Sequence, residues 1–201
     1  VIKKTLFLLL FPLIAELVVS CCHCEDPAIY YFTHKSIAVK HLDNAGSQVV
    51  VASSSSVVKK AYGIRLALFR ERTACVYKPN SLFIQSAYAF KCGCLPPLQF
   101  LAKDSLLSIK VFTLQDFDDI HLAGTDLSDY FKVFRANSFT TIADYLKYPE
   151  TTLYNETELP TSIDLLLMTA PTLNIRHQFR LQVTLSDGRV LETVTSTIEL
   201  I

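Results

Sequence analysis

The chain has 201 residues, and its 19 lysines and arginines balance 19 aspartates and glutamates, so the formal charge is zero. That balance supplies neither the basic patch of a nucleic-acid binder nor a polybasic surface for anionic lipid. Five glycines argue against phosphate-cradling loops, and the absence of tryptophan disfavours a sugar-stacking platform, although nine tyrosines remain.

At the N-terminus, Lys3 and Lys4 precede an uncharged run from Thr5 to Ala15. The run is shorter than the roughly 20 apolar residues that a spanning helix needs. A basic start, a short apolar core and a small residue before a break predict a signal peptide over residues 1–20. Val18-Val19-Ser20-Cys21 resembles the lipobox of bacterial lipoproteins. That resemblance implies lipidation of the Cys21 thiol, cleavage just before it, and attachment to a cell-envelope membrane, on the periplasmic or surface face of the outer membrane. Cleavage near Ser20 by an ordinary signal peptidase, releasing a soluble protein, and a buried core helix are the alternatives. Residues 21–34 then read as a tether, and residues 35–201 as one β domain.

Along the rest of the chain, Ile37, Val39 and Leu42 begin a strand, and Asp43-Asn44-Ala45-Gly46 reads as a turn. Ser53 to Ser56 is a loop. Strict apolar alternation predicts strands at Ile64, Leu66 and Leu68, at Tyr88, Phe90 and Cys92, and at Leu107, Ile109 and Val111. Leu127, Tyr130, Phe131 and Phe134 follow helical spacing, with Asp126 as N-cap, and Ile142, Tyr145 and Leu146 do the same after Thr141. Residues 147–160 read as loop. Ile163, Leu165 and Leu167 open another strand. Phe179, Leu181, Val183 and Leu185 alternate into Asp187-Gly188, which predicts a hairpin closed by a two-residue type I′ turn. That register sets Leu185 against Val190 and Leu181 against Val194.

Seven or more short strands with one or two short inserted helices predict a mainly all-β fold, an immunoglobulin-like β-sandwich. A small β-barrel is the competing architecture. The segments CCHCEDPAIYYF, SIAVKHLDN, AYGIRLAL, VFTLQDFDDIHLAGTDLSDYF and HQFRLQVTLSDGRVLETVTSTIEL span most of residues 21–201. Over them the chain resembles a family of Bacteroidota lipoproteins built on a domain of unknown function. The resemblance implies an envelope location and a β-rich fold, and it carries no activity.

Candidate sites are few. With Cys21 assigned to lipid, Cys22, Cys24, Cys75, Cys92 and Cys94 remain, an odd number in a compartment that permits disulfides. Cys75 is expected to bridge Cys92 or Cys94. Cys22-His23-Cys24 together with Cys92-Gly93-Cys94 could instead supply thiolates and imidazole to zinc or copper(I). Asp116, Asp118 and Asp119 carry oxygen ligands suited to calcium. However, the EF-hand template fails, with His121 where glycine is needed, and a solvated acidic loop is the plainer reading. His34, His41, His121 and His177 read as surface or strand-flanking residues. Asp104-Ser105-Leu106 matches a short O-glycosylation pattern. No nucleophile elbow, zincin helix or Walker loop occurs in the chain. The expected function is a non-catalytic interaction module that uses no cofactor, meets a membrane through its lipid, and binds an envelope protein or glycan. A glycan-binding lipoprotein using Tyr30-Tyr31 or Tyr145/Tyr148, and an enzyme with a site not recognisable from sequence, are the alternatives.

Overall fold

The computed structural model describes residues 29–76, 99–147, 152–153 and 161–201. The fold is a β-sandwich, and its sheets do not close into a barrel. The larger sheet has eight strands. Its spine is formed by two 15-residue strands, β1 (Ile29–Asp43) and β4 (Tyr62–Val76), paired antiparallel along their whole length. On one side of β4 lie β10 (Thr161–Leu167), β7 (Phe131–Arg135) and β8 (Ser138–Thr141). On the far side of β1 lie β5 (Gln99–Ala102) and β9 (Thr152–Leu153), and the short β2 (Val50–Val51) pairs with the end of β1. The facing layer has two three-stranded sheets. One is β6 (Leu106–Thr113), β12 (Phe179–Leu185) and β13 (Val190–Val194); the other is β3 (Ser56–Val57), β14 (Ile198–Leu200) and β11 (Arg176–His177).

The alternating residues of the sequence make the core. Ile64, Leu66 and Leu68 of β4, Ile163, Leu165 and Leu167 of β10, and Phe131 and Val133 of β7 face inward. They meet Ile109 and Val111 of β6, Phe179, Leu181, Val183 and Leu185 of β12, and Ile198 and Leu200 of β14. Two bulges shape the β1–β4 pair: Thr73 is an extra residue opposite the Tyr31/Phe32 step, and Lys35 an extra residue opposite Phe69 and Arg70. An extra residue inverts the alternation. It thereby keeps Phe32 and His34, before Lys35, on the same face as Ile37 and Val39 after it.

Four sequence expectations change here. Residues 29–34, expected to belong to a tether, lie in strand β1, and His34 is buried. The helix expected over 127–134 is a single 3-10 turn, Ser128–Tyr130, followed by strand β7. Phe131 and Val133 are both inward, and β7 is paired on both edges, to β10 and β8, so the sheet overrides the helical spacing. Within the expected 147–160 loop, Thr152–Leu153 forms β9. The C-terminal hairpin is shifted by one residue: Thr184 pairs with Val190 and Arg180 with Val194. Its loop has three residues, Ser186-Asp187-Gly188, with the Leu185 N–H donating to the Arg189 carbonyl and Gly188 at φ +85°. That is the geometry of a type I turn closed by a left-handed glycine. The one-residue slip turns Leu191 toward the core and leaves Val190 and Val194 exposed. It also places Glu192 beside Gln182, whose side-chain amide donates to it at 2.6 Å.

The short helix expected after Thr141 is present as α1, Ile142–Lys147. Thr141 caps it: the Asp144 N–H donates to Thr141 Oγ1 at 3.0 Å, and the Thr141 hydroxyl donates to the Asp144 carboxylate at 2.7 Å. The strand expected at Tyr88, Phe90 and Cys92 lies outside the described residues.

Candidate functional site

One groove opens where the two layers part. Its walls are β6 on one side and α1 on the other, and it encloses about 370 Å³. Ile109, Phe131, Ile142 and Leu146 form an apolar floor, while Lys110, Asp126, Asp129, Lys132, Ser128 and Thr141 supply a polar rim. Each wall follows from local sequence. The Thr141 cap starts α1 at Ile142 and so directs Ile142 and Leu146, one turn apart, to the same side. A bulge at Leu107 interrupts the β6–β12 ladder and exposes that side chain at the mouth.

The rim is electrostatically tame. Lys110 Nζ lies 3.4 Å from Asp126. Burial pushes the Asp126 carboxyl up, but hydrogen bonds from the Ser128 hydroxyl and backbone N–H, together with Lys110, outweigh it and hold Asp126 below the usual carboxylate range. A carboxylate held ionised suits ion pairing and not proton donation.

The strongly polar chemistry of the molecule is elsewhere, and it is structural. Asp104 is only 2 % exposed. Its carboxylate accepts from the His34 backbone N–H at 3.1 Å, from the Thr33 hydroxyl at 3.0 Å and from Arg189 Nη2 at 2.8 Å, and it lies 3.1 Å from His34 Nδ1. Arg189 also donates from Nη1 to the His34 carbonyl at 2.7 Å and from Nε to Asp187 at 2.7 Å. The network ties the tip of the β12–β13 hairpin to β1 and to the β5–β6 connection. Burial lowers the His34 pKa; the Asp104 charge offsets part of that, and Arg70 and Arg189 add to it.

Two of the four histidines differ from their expected surface or strand-flanking placement. His34 and His177 are buried. His177 packs between Phe117 and Phe179, and neither ring nitrogen completes a hydrogen bond, although backbone at Asn174 and Leu173 approaches it. His41 Nδ1 lies 2.9 Å from the Tyr62 hydroxyl, and its Nε2 lies 3.0 Å from the Ser196 hydroxyl. None of these three lines the groove.

Of the expected site residues, Cys21, Cys22, His23, Cys24, Cys92 and Cys94 lie outside the described residues. Cys75 sits in β4 opposite Tyr30. Asp116, Asp118 and Asp119 share one loop but make separate contacts. Asp118 accepts from the Ile120 and His121 backbone N–H groups and pairs with the His121 ring at 2.8 Å, Asp116 accepts from the Ala123 N–H at 2.9 Å, and Asp119 is exposed. Among the described residues no group of three His, Cys, Asp or Glu side chains converges on a point that could hold a metal ion. Asp104 of the glycosylation pattern is committed to its buried network. Of the tyrosines weighed for stacking on sugar, Tyr30 stacks on Phe100 at 5.3 Å, with Arg72 on the same ring, and Tyr145 packs against the core. Tyr148 lies outside the described residues.

Sequence reasoning found α1 but not the groove. Its rim joins residues 107–110, 126–132 and 141–146, which no local pattern relates. The Asp104 network was equally hidden, since its partners stand 70 to 85 positions apart.

Fold and site together define a β-sandwich with a partly apolar groove between β6 and α1. A family model matches residues 34–196, and the chain belongs to that family, DUF5034, a domain of unknown function. No curated protein and no solved structure matches the chain.

Proposed function

We propose that the protein is a non-catalytic interaction module, anchored to a cell-envelope membrane by lipid on Cys21, that engages its partner through the groove between β6 and α1. The observation that carries this reading is the groove: an apolar floor beside the Lys110–Asp126 ion pair, with the perturbed histidines held away from it. A binding site needs an apolar anchor point and a polar rim. An acid–base catalyst would need a group poised near neutrality in the same cleft. The anchor is supported by the basic start, the short apolar run and the small residue before Cys21.

The glycan reading gains less from the site, because the aromatic of the groove, Phe131, is 1 % exposed and offers no face for stacking. Ala143 is an exposed α1 residue that lines the groove. An Ala143→Trp variant should fill the cleft without disturbing the core. Cross-linking in native envelopes should give an identified partner with the wild-type protein and lose it with Ala143→Trp. A partner retained equally by both would remove the groove from the function.

A further inference from the structure

Six large apolar side chains lie exposed at one end of the sandwich: Val58, Ile120, Leu122, Met168, Ile175 and Ile201. The strands place them there. Asp43, the last residue of β1, pairs with Tyr62 at the start of β4. Tyr62 stacks on Phe179 at 5.6 Å, and Phe179 pairs with Thr113 at the end of β6. The loops that meet at this end are joined side by side by hydrogen bonds. The Leu173 N–H donates to the Phe117 carbonyl at 3.1 Å, and Asn174 Nδ2 donates to the Asp116 carbonyl at 2.8 Å. The Leu200 N–H donates to the Ile175 carbonyl, and the Lys59 N–H to the Ile201 carbonyl, both at 2.8 Å. The Met168 N–H donates to the Tyr130 carbonyl, and the Tyr130 ring lies 4.8 Å from that of His121, which stands between Ile120 and Leu122. Singly exposed apolar residues are ordinary on a protein surface, whereas a contiguous set marks a contact surface. Ile29, where β1 begins, is at the opposite end, about 50 Å away along the strand.

The loop over residues 114–130 projects furthest and carries the charge. Ile120 is 83 % exposed and Leu122 55 %. Buried Phe117 pins the base of the loop. Asp118 accepts from the Ile120 N–H at 2.9 Å and from the His121 N–H at 2.7 Å, so the tip is ordered before any partner arrives. Residues 114–130 contain five aspartates and neither lysine nor arginine. Lys110 matches Asp126, the His121 ring pairs with Asp118, and Asp129 lines the groove. Asp116 and Asp119 have no cationic partner among the described residues. The unpaired cations of this end, Lys59 and Lys60, stand beside Ile201 instead. We infer that this end is a second docking surface, separate from the groove, whose occupant is another protein. The contact face of that protein has an apolar centre for Ile120 and Leu122, and lysine or arginine side chains for Asp116 and Asp119. Other occupants fit less well. Anionic lipid headgroups would meet Asp116 and Asp119 with the same sign, and a neutral bilayer would offer them no counter-charge. A second copy would bring lysines. However, two copies held at the Ile29 end in one bilayer point the same way and cannot bring their far ends together; this orientation rests on the Cys21 anchor proposed above.

The test places photoreactive p-benzoylphenylalanine at position 120 of the full chain, illuminates native envelopes and sequences the cross-linked peptide by mass spectrometry. The expected result is one partner protein, joined through a peptide with apolar residues and net positive charge. Asp119 makes no hydrogen bond or ion pair among the described residues. Asp119→Lys should therefore keep the melting temperature and lower the cross-link yield about tenfold. Ala143→Trp should leave the yield unchanged, and the same label at position 190, exposed on the hairpin, should not capture this partner. Cross-linking to lipid, to a second copy of this chain or to an acidic peptide would overturn the inference. So would the absence of any cross-linked protein, or a yield indifferent to Asp119→Lys. A yield lost with Ala143→Trp would return the partner to the groove, overturning the second surface and supporting the module reading. Failure of the anchor is read separately, by Cys21→Ser protein that stays in salt-washed membranes.

Discussion

Asp104 holds a charge where charge is costly, and its partners explain why the cost is tolerated. Three donors and the His34 ring surround a carboxylate that water barely reaches. Removing such an acceptor strands the donors that face it, and breaking a buried pair typically costs 3–5 kcal/mol. Arg189 is 41 % exposed at its side chain and can rehydrate. Asp104→Ala is therefore expected at the lower end, about 3 kcal/mol, read as a drop in urea midpoint with unchanged slope. Arg189→Ala should cost less than Asp104→Ala; equal losses would mean that the guanidinium, not the carboxylate, organises the network. The partly or fully desolvated histidines add a pH dependence. Burial lowers the pKa values of His34, His41 and His177 from 6.5. Below pH 6.5 the unfolded chain takes up protons that the folded chain refuses, so their contribution is complete above 6.5 and is lost as pH falls through the folded values. Among the described residues the His177 ring completes no hydrogen bond that a phenyl ring would forfeit. His177→Phe should hold or raise the melting temperature at pH 7.5 and flatten its decline between pH 6.5 and 5. A decline as steep as that of the wild-type protein would assign the acid sensitivity elsewhere.

Turns decide the elements, and two of them trade places with expectation. Asp187-Gly188 marks a hairpin, but the loop has three residues, and that single extra residue reverses which face of β13 is buried. The two-residue turn instead joins β7 to β8, where Arg135 pairs with Ser138 across Ala136-Asn137, at φ +48° and +59°. Both central residues are left-handed, as a type I′ turn requires, yet Ala136 has no side-chain group to compensate for it. The apolar spacing of Leu127, Tyr130, Phe131 and Phe134 concealed this hairpin, because period 3.6 and period 2 coincide at Phe131 and at few other places in so short a run. A left-handed alanine costs about 1 kcal/mol or more, and glycine returns part of the gain as chain entropy in the unfolded state. Ala136→Gly should therefore stabilise the protein by about 0.5 kcal/mol, visible in the urea midpoint. Destabilisation would mean that the methyl group of Ala136 matters more than its backbone. Gly63 presents the opposite case. A Cβ there would lie 2.4 Å from Leu166 Cδ2 and 2.9 Å from the Leu165 carbonyl, so Gly63→Ala should push β10 away from β4 and lower the midpoint by at least 1 kcal/mol, roughly the cost of overpacking a core.

At the scale of the whole molecule, what was legible is what is periodic. Strands β4, β6, β10 and β12 announced themselves by alternation, and their inward residues form the sandwich core. The sheet order, with β4 between β1 and β10, is set by contacts over long stretches of chain, as are the groove and the Asp104 network, and periodicity does not encode partners. The proposed anchor joins the two levels. Strand β1 begins at Ile29, eight positions after Cys21. Eight residues fully extended reach at most about 29 Å. A lipid on Cys21 would hold the sandwich within one domain diameter of the bilayer, and any partner would have to be met there. A single acyl chain anchors only marginally, whereas two or three anchor stably, each buried methylene adding about 0.8 kcal/mol. The wild-type protein is therefore expected in washed membranes after a high-salt rinse, since its charge is balanced and nothing electrostatic is being rinsed away. Cys21→Ser should release it to the soluble fraction with its melting temperature unchanged. A Cys21→Ser protein that still sediments with salt-washed membranes would transfer the attachment from the lipid to the folded domain.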